Sequence, residues 1–203
     1  MKVLMINGSP NEFGCTYTAL CEVARGLNEN GVDTEILHIG TQPVSGCLGC
    51  GGCTDKRCVI DDVVNVALEK AEQADGLVFG SPVHFAGISG SMAAFMDRFF
   101  YTDAVKRKPA AAVVSCRRGG SSAALDILNK YITYAQMPLV SSGYWNMVHG
   151  TRPEAVRQDK EGMWVMHTLG CNMAWLIKCI EAGRSSGVPL PVLEPRSKTN
   201  FIR

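Results

Sequence analysis

The sequence predicts an α/β protein with a doubly wound, five-stranded parallel sheet and helices on both faces. Short apolar runs alternate with segments whose apolar residues recur at helical spacing, and this alternation occurs five times. Several of the strand segments are apolar throughout, which is typical of parallel strands that are buried on both faces. Such strands are joined by right-handed crossovers that place helices on each face. A chain of 203 residues is long enough for one such domain and short for two.

The predicted strands are short runs bounded by loop residues. The first, "KVLMI", is continuously apolar and stops at "NGSP", a sequence typical of a loop. The five predicted strands are Lys2–Ile6, Asp33–Ile39, Gly76–Gly80, Ala110–Cys116 and Leu139–Trp145.

The predicted helices follow these strands. In the first helix, Leu20, Val23, Ala24 and Leu27 recur at helical spacing, and Gly31 is a typical residue after a helix C-terminus. The predicted helices are Thr16–Asn30, Asp62–Ala74, Ser89–Tyr101, Ser121–Gln136 and about Gly162–Gly183. We expect a single domain over residues 1–185 and an irregular, proline- and serine-rich tail over residues 186–203.

Composition limits the class of partner and the compartment. Twenty basic and nineteen acidic residues give a net charge of +1, so no global field attracts nucleic acid or an anionic membrane, and we expect a small-molecule partner. The N-terminal apolar run is too short for a signal peptide, and no run of eighteen apolar residues follows. Nine cysteines, an odd number, fit free thiols in a reducing cytoplasm better than a disulfide framework.

In a sheet of this class the ligand binds at the carboxyl ends of the strands, so the loops there are the candidate site. The loop Gly8–Thr18 offers the hydroxyls of Ser9, Thr16, Tyr17 and Thr18 and the free amides of a helix N-terminus, which suit a phosphate. It is neither a Walker loop nor a dinucleotide-binding glycine motif. The alternative is an ordinary turn in which serine and threonine cap the helix.

Two further loops carry groups that suit a flat heterocycle. "GSPVHFAGISG" follows the third strand and offers backbone amides together with His84 and Phe85. "SCRRGGSS" follows the fourth strand and offers two arginines as cationic donors, although one of them can equally be solvated. For His84 the alternative is a loop histidine with no part in proton transfer.

The ordered set "GSP…GCTYTAL", "GSPVHFAGISGSMAAFMDRFF" and "AAAVVSCRRGG" resembles the flavodoxin-like, NADPH-dependent FMN reductase family over about the first 145 residues. The resemblance implies strand order 2-1-3-4-5 and an enzyme that passes electrons from NAD(P)H through bound FMN to a small-molecule acceptor such as a quinone, a flavin or a nitro compound. It also implies a homodimer or homotetramer. The alternative is an electron carrier of flavodoxin type. No protein nucleophile is required, because the flavin carries the chemistry.

The resemblance assigns residues to the cofactor. Ser9, Thr16, Tyr17 and Thr18 would hold the FMN phosphate. Cys15 stands where many relatives have asparagine and would contribute its backbone amide. Around the isoalloxazine ring the resemblance places Ser81, Pro82, Val83, His84 and Phe85 on one side and Ser115, Arg117 and Gly119 near the other edge.

The segment "CLGCGGCTDKRC" places Cys47, Cys50, Cys53 and Cys58 within twelve residues. Closely spaced thiolates suit an iron-sulfur cluster, and the intervening glycines let a short loop fold around a metal. Iron-sulfur flavoproteins are a branch of the family with a compact motif of this form, which would connect the protein to a ferredoxin-like carrier. The alternatives are a cluster-free structural or redox-active thiol loop and, less favoured by the spacing, a zinc site.

Overall fold

The structure is a computed structural model that describes residues 1–195 and Thr199, and the rest of the predicted tail lies outside the described residues. Its strands are β1 (Lys2–Asn7), β2 (Asp33–His38), β3 (Gly76–His84), β4 (Gly87–Ile88), β5 (Ala110–Cys116) and β6 (Met147–His149). Its α-helices are α1 (Cys15–Glu29), α2 (Val63–Gln73), α3 (Gly90–Phe99), α4 (Ser121–Tyr134), α5 (Pro153–Gln158) and α6 (Lys160–Ser185). A short 3-10 helix, Phe100–Thr102, follows α3.

The sheet confirms the predicted doubly wound class. Its strands lie in the order β2-β1-β3-β5-β6, and every neighbouring pair on this path is parallel. The sheet has six strands rather than five, because β3 runs on past Gly80 and folds back through the two-residue strand β4. When β4 is set aside, the remaining five strands follow the predicted order.

The fifth parallel strand is the main error of the sequence prediction. It was expected at Leu139–Trp145, whereas β6 comprises Met147–His149 and pairs with the end of β5. Leu139 makes one isolated bridge to Ala110, and Trp145 is 60% exposed. The serines and glycine of "VSSGY" interrupt the ladder between these points, and helix α5, where the sequence predicted none, follows β6.

Two hydrophobic clusters cover the two faces of the sheet. Leu4 and Ile6 of β1 point into a cluster with α2, α3 and α4, and Val3 and Met5 point into a second cluster with α1 and α6. All four side chains are fully buried, which explains why the strand sequence is apolar throughout. Among the residues described, no helix combines the length and hydropathy that a bilayer crossing requires.

Candidate functional site

The loops after β1 and β3 are joined by direct hydrogen bonds at the carboxyl edge of the sheet. The Gly8 amide donates to the Gly80 carbonyl at 2.8 Å, and the Ser89 hydroxyl donates to the Gly8 carbonyl at 2.7 Å. The Ser89 amide in turn donates to the Ser81 hydroxyl oxygen at 3.0 Å. Ser81 and Ser89 are both buried, so these contacts fix one loop against the other.

The first loop is shaped by its own polar side chains. The Asn7 carboxamide accepts a hydrogen bond from the Ser9 amide and donates one to the Glu12 carbonyl. The Ser9 hydroxyl oxygen accepts from the Asn11 amide, and a ring nitrogen of His38 lies 2.7 Å from the Ser9 carbonyl oxygen. The conformation of the loop is therefore set by hydrogen bonds from its own side chains and from His38.

The N-terminus of α1 fits an anion. Gly14 is the N-cap, and no described side chain caps this terminus. The amides of the first turn lie at the positive end of the helix dipole, where a phosphate is favoured. The Thr18 hydroxyl donates back to the Gly14 carbonyl, whereas the Thr16 hydroxyl lies 2.9 Å from the Ser115 hydroxyl at the end of β5. Thr16 and Ser115 therefore lie together, and the hydroxyl of Thr18 is engaged with the backbone of its own helix.

Cys15 and Tyr17 begin the same helix. Burial raises the pKa of the Cys15 thiol, its own backbone amide lowers it in part, and the Glu154 carboxylate raises it further. Its sulfur donates to the Gly150 carbonyl at 3.7 Å. A hydrogen bond with Cys21 raises the pKa of Tyr17, whose ring packs edge-on against Phe13 at a centroid distance of 5.2 Å. Both side chains are neutral near pH 7.

The β3–β4 hairpin presents the residues expected at the flavin ring. Pro82 and Val83 are half-buried, and His84 and Phe85 are exposed. Phe85 and Ala86 form a two-residue turn with φ values of 50° and 60°. Two-residue hairpins favour such positive values, but asparagine and glycine are their usual occupants. The Phe85 ring is therefore held out in solvent by a turn that its own residue type does not favour.

The loop after β5 lies against this hairpin. Gly120 has a φ of +87°, and a Cβ atom placed there would lie 2.7 Å from the Cα atom of Ala86. Arg117 and Gly119 of the same loop are exposed. The structure therefore places the three predicted loops together at the carboxyl ends of the strands. The buried residues among those predicted are Ser9, Thr16, Thr18, Ser81 and Ser115, and the others lie nearer the surface.

The four clustered cysteines line one cavity of about 240 Å³ beside the C-terminal half of α3, together with Arg98 and Tyr101. Burial raises the pKa of the Cys53 thiol, and the charges of Cys58, Cys47 and Cys50 raise it further. Within the described residues, no three histidine, cysteine or acidic side chains already lie in metal-binding geometry. A cluster would therefore require the loop to contract around it.

The donor set of this cavity nevertheless fits an iron-sulfur cluster. Four thiolates are the usual ligands of 4Fe-4S clusters, and the φ values of Gly49 and Gly51, 62° and 68°, allow the tight turns between the ligands. The Arg98 guanidinium supplies a buried positive charge against the negative charge of the thiolates. The residues present can therefore hold such a group.

A larger cavity, of about 1450 Å³, opens at the opposite end of the strands, where β3 and β5 begin. Tyr131 and Lys108 contribute to its lining, and none of the predicted site residues does. The Lys108 ammonium donates to the carbonyls of Ala71, Glu72 and Ala74, which end α2. The contacts of Lys108 are accounted for by helix capping.

Several residues that organise these sites were not predicted. Asn7 comes directly after the predicted strand Lys2–Ile6, is the last residue of β1 and belongs to a type that shapes turns, so its role could be predicted from the sequence. His38, Ser89 and Arg98 act through contacts between distant segments, and no local pattern marks them. Asn65 acts on Cys58, seven positions earlier, through the loop that precedes α2.

A model of the family described as NADPH-dependent FMN reductase matches residues 1–152. An iron-sulfur flavoprotein of Methanocaldococcus jannaschii is 29% identical over 192 residues, which cover 89% of this chain and 100% of that protein. An iron-sulfur flavoprotein of Methanosarcina thermophila is 27% identical over 191 residues, which cover 91% and 99% of the two chains.

Solved structures share the fold. A flavone reductase superposes with a TM-score of 0.69 at 19% identity, covering 89% of this chain and 64% of its own. The NAD(P)H:quinone oxidoreductase from Methanothermobacter marburgensis superposes with a TM-score of 0.67 at 14% identity, covering 85% and 98%. At these identities the likeness concerns the fold.

Proposed function

The chain belongs to the NADPH-dependent FMN reductase family, and on this premise we propose that it is an FMN-dependent oxidoreductase of the iron-sulfur flavoprotein type. In this proposal the loops after β1, β3 and β5 bind FMN, and Cys47, Cys50, Cys53 and Cys58 bind a 4Fe-4S cluster. The single observation that carries it is the shared cavity of the four cysteines. The flavin and the cluster, when bound, supply the electron chemistry.

The chain's own residues have three tasks in this proposal. The first-turn amides of α1, with Ser9 and Thr16, bind the phosphate. The backbone of Ser81–Phe85 lies along the ring, and Ser115, Arg117 and Gly119 bound its other edge. The rigid contacts Gly8–Gly80 and Ser89–Gly8 keep these loops in register with each other.

The cluster is tested by anaerobic purification and reconstitution with ferrous iron and sulfide. We expect about four iron and four sulfide per chain. Cys47→Ser and Cys58→Ser should lose most of the iron and keep FMN. Cys179→Ser, an exposed cysteine on α6, is the matched control and should keep both. Wild-type protein that binds FMN but no iron after reconstitution would contradict the cluster.

A second candidate is a cluster-independent reductase that takes electrons from NAD(P)H and passes them to a quinone, flavin or nitro compound. The match to an NADPH-dependent family favours it. Anaerobic mixing of FMN-loaded protein with NADPH, NADH or a reduced ferredoxin distinguishes the donors by loss of flavin absorbance. Bleaching by a nucleotide alone, in the Cys58→Ser variant as well, supports this candidate. Bleaching by ferredoxin alone supports the first.

We also propose that the protein assembles as a homodimer or homotetramer. The exposed ring of Phe85 beside the candidate flavin site supports an interface at this edge. Sedimentation of FMN-loaded wild-type protein and of Phe85→Ser measures the assembly. A monomer at micromolar concentration in the wild type would contradict it.

A further inference from the structure

We propose that Asn65 and Arg98 are positioning residues that hold Cys58 as the anchored thiol of the four-cysteine site, while Cys47, Cys50 and Cys53 close around it. The inference rests on the proposed function where it concerns a cluster. Its geometric part, the fixing of Cys58, can be tested on the metal-free protein.

Asn65 fixes the backbone of Cys58 on both sides. This residue lies in the first turn of α2 and is 2% exposed. Its carboxamide oxygen accepts from the Cys58 amide at 2.9 Å, and its nitrogen donates to the Cys58 carbonyl at 3.0 Å and to the Ile60 carbonyl at 3.2 Å. A buried carboxamide that bonds both backbone groups of one residue leaves that residue little freedom.

Arg98 fixes the side chain of Cys58 from the other side. This α3 residue is 1% exposed, and its Nε donates to the Cys58 sulfur at 3.3 Å. One terminal nitrogen donates to the Ser45 carbonyl at 3.3 Å and to Asp62 at 2.6 Å. The other donates to the Ile60 carbonyl and to Asp62, both at 2.8 Å. The guanidinium has five N–H donors, and these five contacts use all of them.

These bonds reach both ends of the cysteine segment. Ser45 lies two residues before Cys47, and Ile60 lies two residues after Cys58, so Arg98 ties together the points where the loop leaves and rejoins the fold. Asp62, which caps α2 through the Val64 amide, balances the charge of Arg98. Hydrogen bonds from α2 and α3 thus hold the two ends of the loop.

The remaining cysteines lack an anchor of this kind in the described structure. Cys47 and Cys50 are exposed, and the Cys47 sulfur accepts from the nearby Gly49 amide at 3.4 Å. The site is therefore asymmetric, with one thiol fixed on the helical scaffold and the others on a loop. A metal that binds Cys58 first would then be joined by the other three cysteines. Because Cys58 is already fixed, the first binding step costs little conformational entropy.

Arg98 also carries a charge that a packing residue would not need. A buried cation that donates an N–H to a ligand sulfur stabilises the more negative, reduced form of a cluster and so raises its reduction potential. A residue that only fills space beneath the loop would leave the potential unchanged on substitution.

The experiment compares four full-length variants with the wild type. Asn65→Ala removes the backbone clamp. Arg98→Lys keeps the charge, and Arg98→Met combined with Asp62→Asn removes it without leaving the carboxylate unpaired while retaining an acceptor for the α2 cap. Arg25→Met is the matched control, because Arg25 is also a helical arginine paired with carboxylates but is exposed.

In the metal-free protein, hydrogen exchange measures the Cys58 amide. We expect roughly tenfold faster exchange in Asn65→Ala, since one hydrogen bond is lost. After anaerobic loading with ferrous iron and sulfide, we expect iron affinity to fall about 10- to 100-fold in Asn65→Ala and in the double variant. The reduction potential should fall in the double variant, because the N–H donor to the Cys58 sulfur is lost while the charges of Arg98 and Asp62 are removed together. It should stay near the wild type in Arg98→Lys and not change in Arg25→Met. FMN content reports folding.

Unchanged iron affinity and potential in folded variants would overturn the proposal and leave a purely structural role. If wild-type protein takes up no iron, the proposed cluster fails. Faster Cys58 exchange in FMN-binding Asn65→Ala would still support the positioning of Cys58, and unchanged exchange would overturn that as well.

Discussion

The side-chain oxygens of Thr16 and Ser115 lie 2.9 Å apart, although the two residues are separated by 99 positions. Thr16 belongs to the first turn of α1 and Ser115 to the end of β5, and both are buried. The contact fixes the proposed phosphate loop against the proposed ring-binding edge.

Replacing Thr16 by valine should weaken FMN binding. The substitution keeps the shape but removes a hydroxyl beside the proposed phosphate position and leaves Ser115 without its partner. A hydrogen bond to a charged group contributes about 1.5–3 kcal/mol, so the dissociation constant should rise at least about tenfold. Quenching of FMN fluorescence measures it. Thr133→Val, whose hydroxyl bonds only to its own helix, is the control, and equal affinities in both variants would contradict the assignment.

Replacing Gly120 by alanine should destabilise the flavin-free protein. The φ of +87° disfavours a side chain, and the new Cβ would press on Ala86 at 2.7 Å. We expect a loss of about 1–3 kcal/mol in the free energy of unfolding, measured with denaturant. Gly119→Ala is the matched control, because a Cβ there meets nothing within 4 Å. A loss of the same size at both positions would show that the contact with Ala86 is unimportant.

The stability of the fold should depend on Glu35 at acid pH. Hydrogen bonds from Lys2 and then from Lys70 hold the pKa of this carboxyl below its ordinary value of 4.5. Because the native pKa of Glu35 lies below its ordinary value, the stabilisation is complete above about pH 4.5. It is lost as the pH falls through the native pKa. Glu35→Gln should therefore cost about 0.5–1 kcal/mol at neutral pH and show a flatter decline below about pH 4.5. Unfolding curves from about pH 3 to 7 test this, and parallel curves would contradict it.

Helices α1 and α6 should tolerate no side chain where their backbones meet. A Cβ at Gly170 would lie 2.2 Å from the Val23 carbonyl oxygen. Gly170→Ala should lower the free energy of unfolding by about 1–3 kcal/mol or more. Gly183→Ala, in the same helix with only ordinary contact to Val188 at 3.8 Å, should instead raise it by up to about 1 kcal/mol. Denaturant unfolding of both variants measures the contrast, and equal effects would contradict the close approach.

The parts of the fold that follow from local pattern were predictable. The buried strands β1 and β5 and the helix α1 have unambiguous periodicity, and the structure places them within a residue or two of the predicted bounds. The fifth parallel strand was misplaced because apolar and aromatic residues at the two ends of "LVSSGYW" suggested a strand despite the serines and glycine between them. The three-residue strand β6 is instead specified by its pairing with Val114–Cys116.

The same division holds for the candidate sites. The loops were found because topology brings strand ends to one edge, and the cysteines because their spacing is unusual. The contacts of His38 with Ser9 and of Arg98 with Cys58 join segments 29 and 40 positions apart, so their partners are fixed only when the chain has folded. The binding roles of the loop residues remain predictions.

The anchoring of Cys58 has a consequence for protein engineering. A designer who copied "CLGCGGCTDKRC" into another scaffold would transfer four thiols without the α2 carboxamide of Asn65 and the α3 guanidinium of Arg98 that meet at the last of them. The portable unit is therefore a loop together with two helix faces. Searches that scan genomes for the spacing of the cysteines alone will also collect sequences that lack this support.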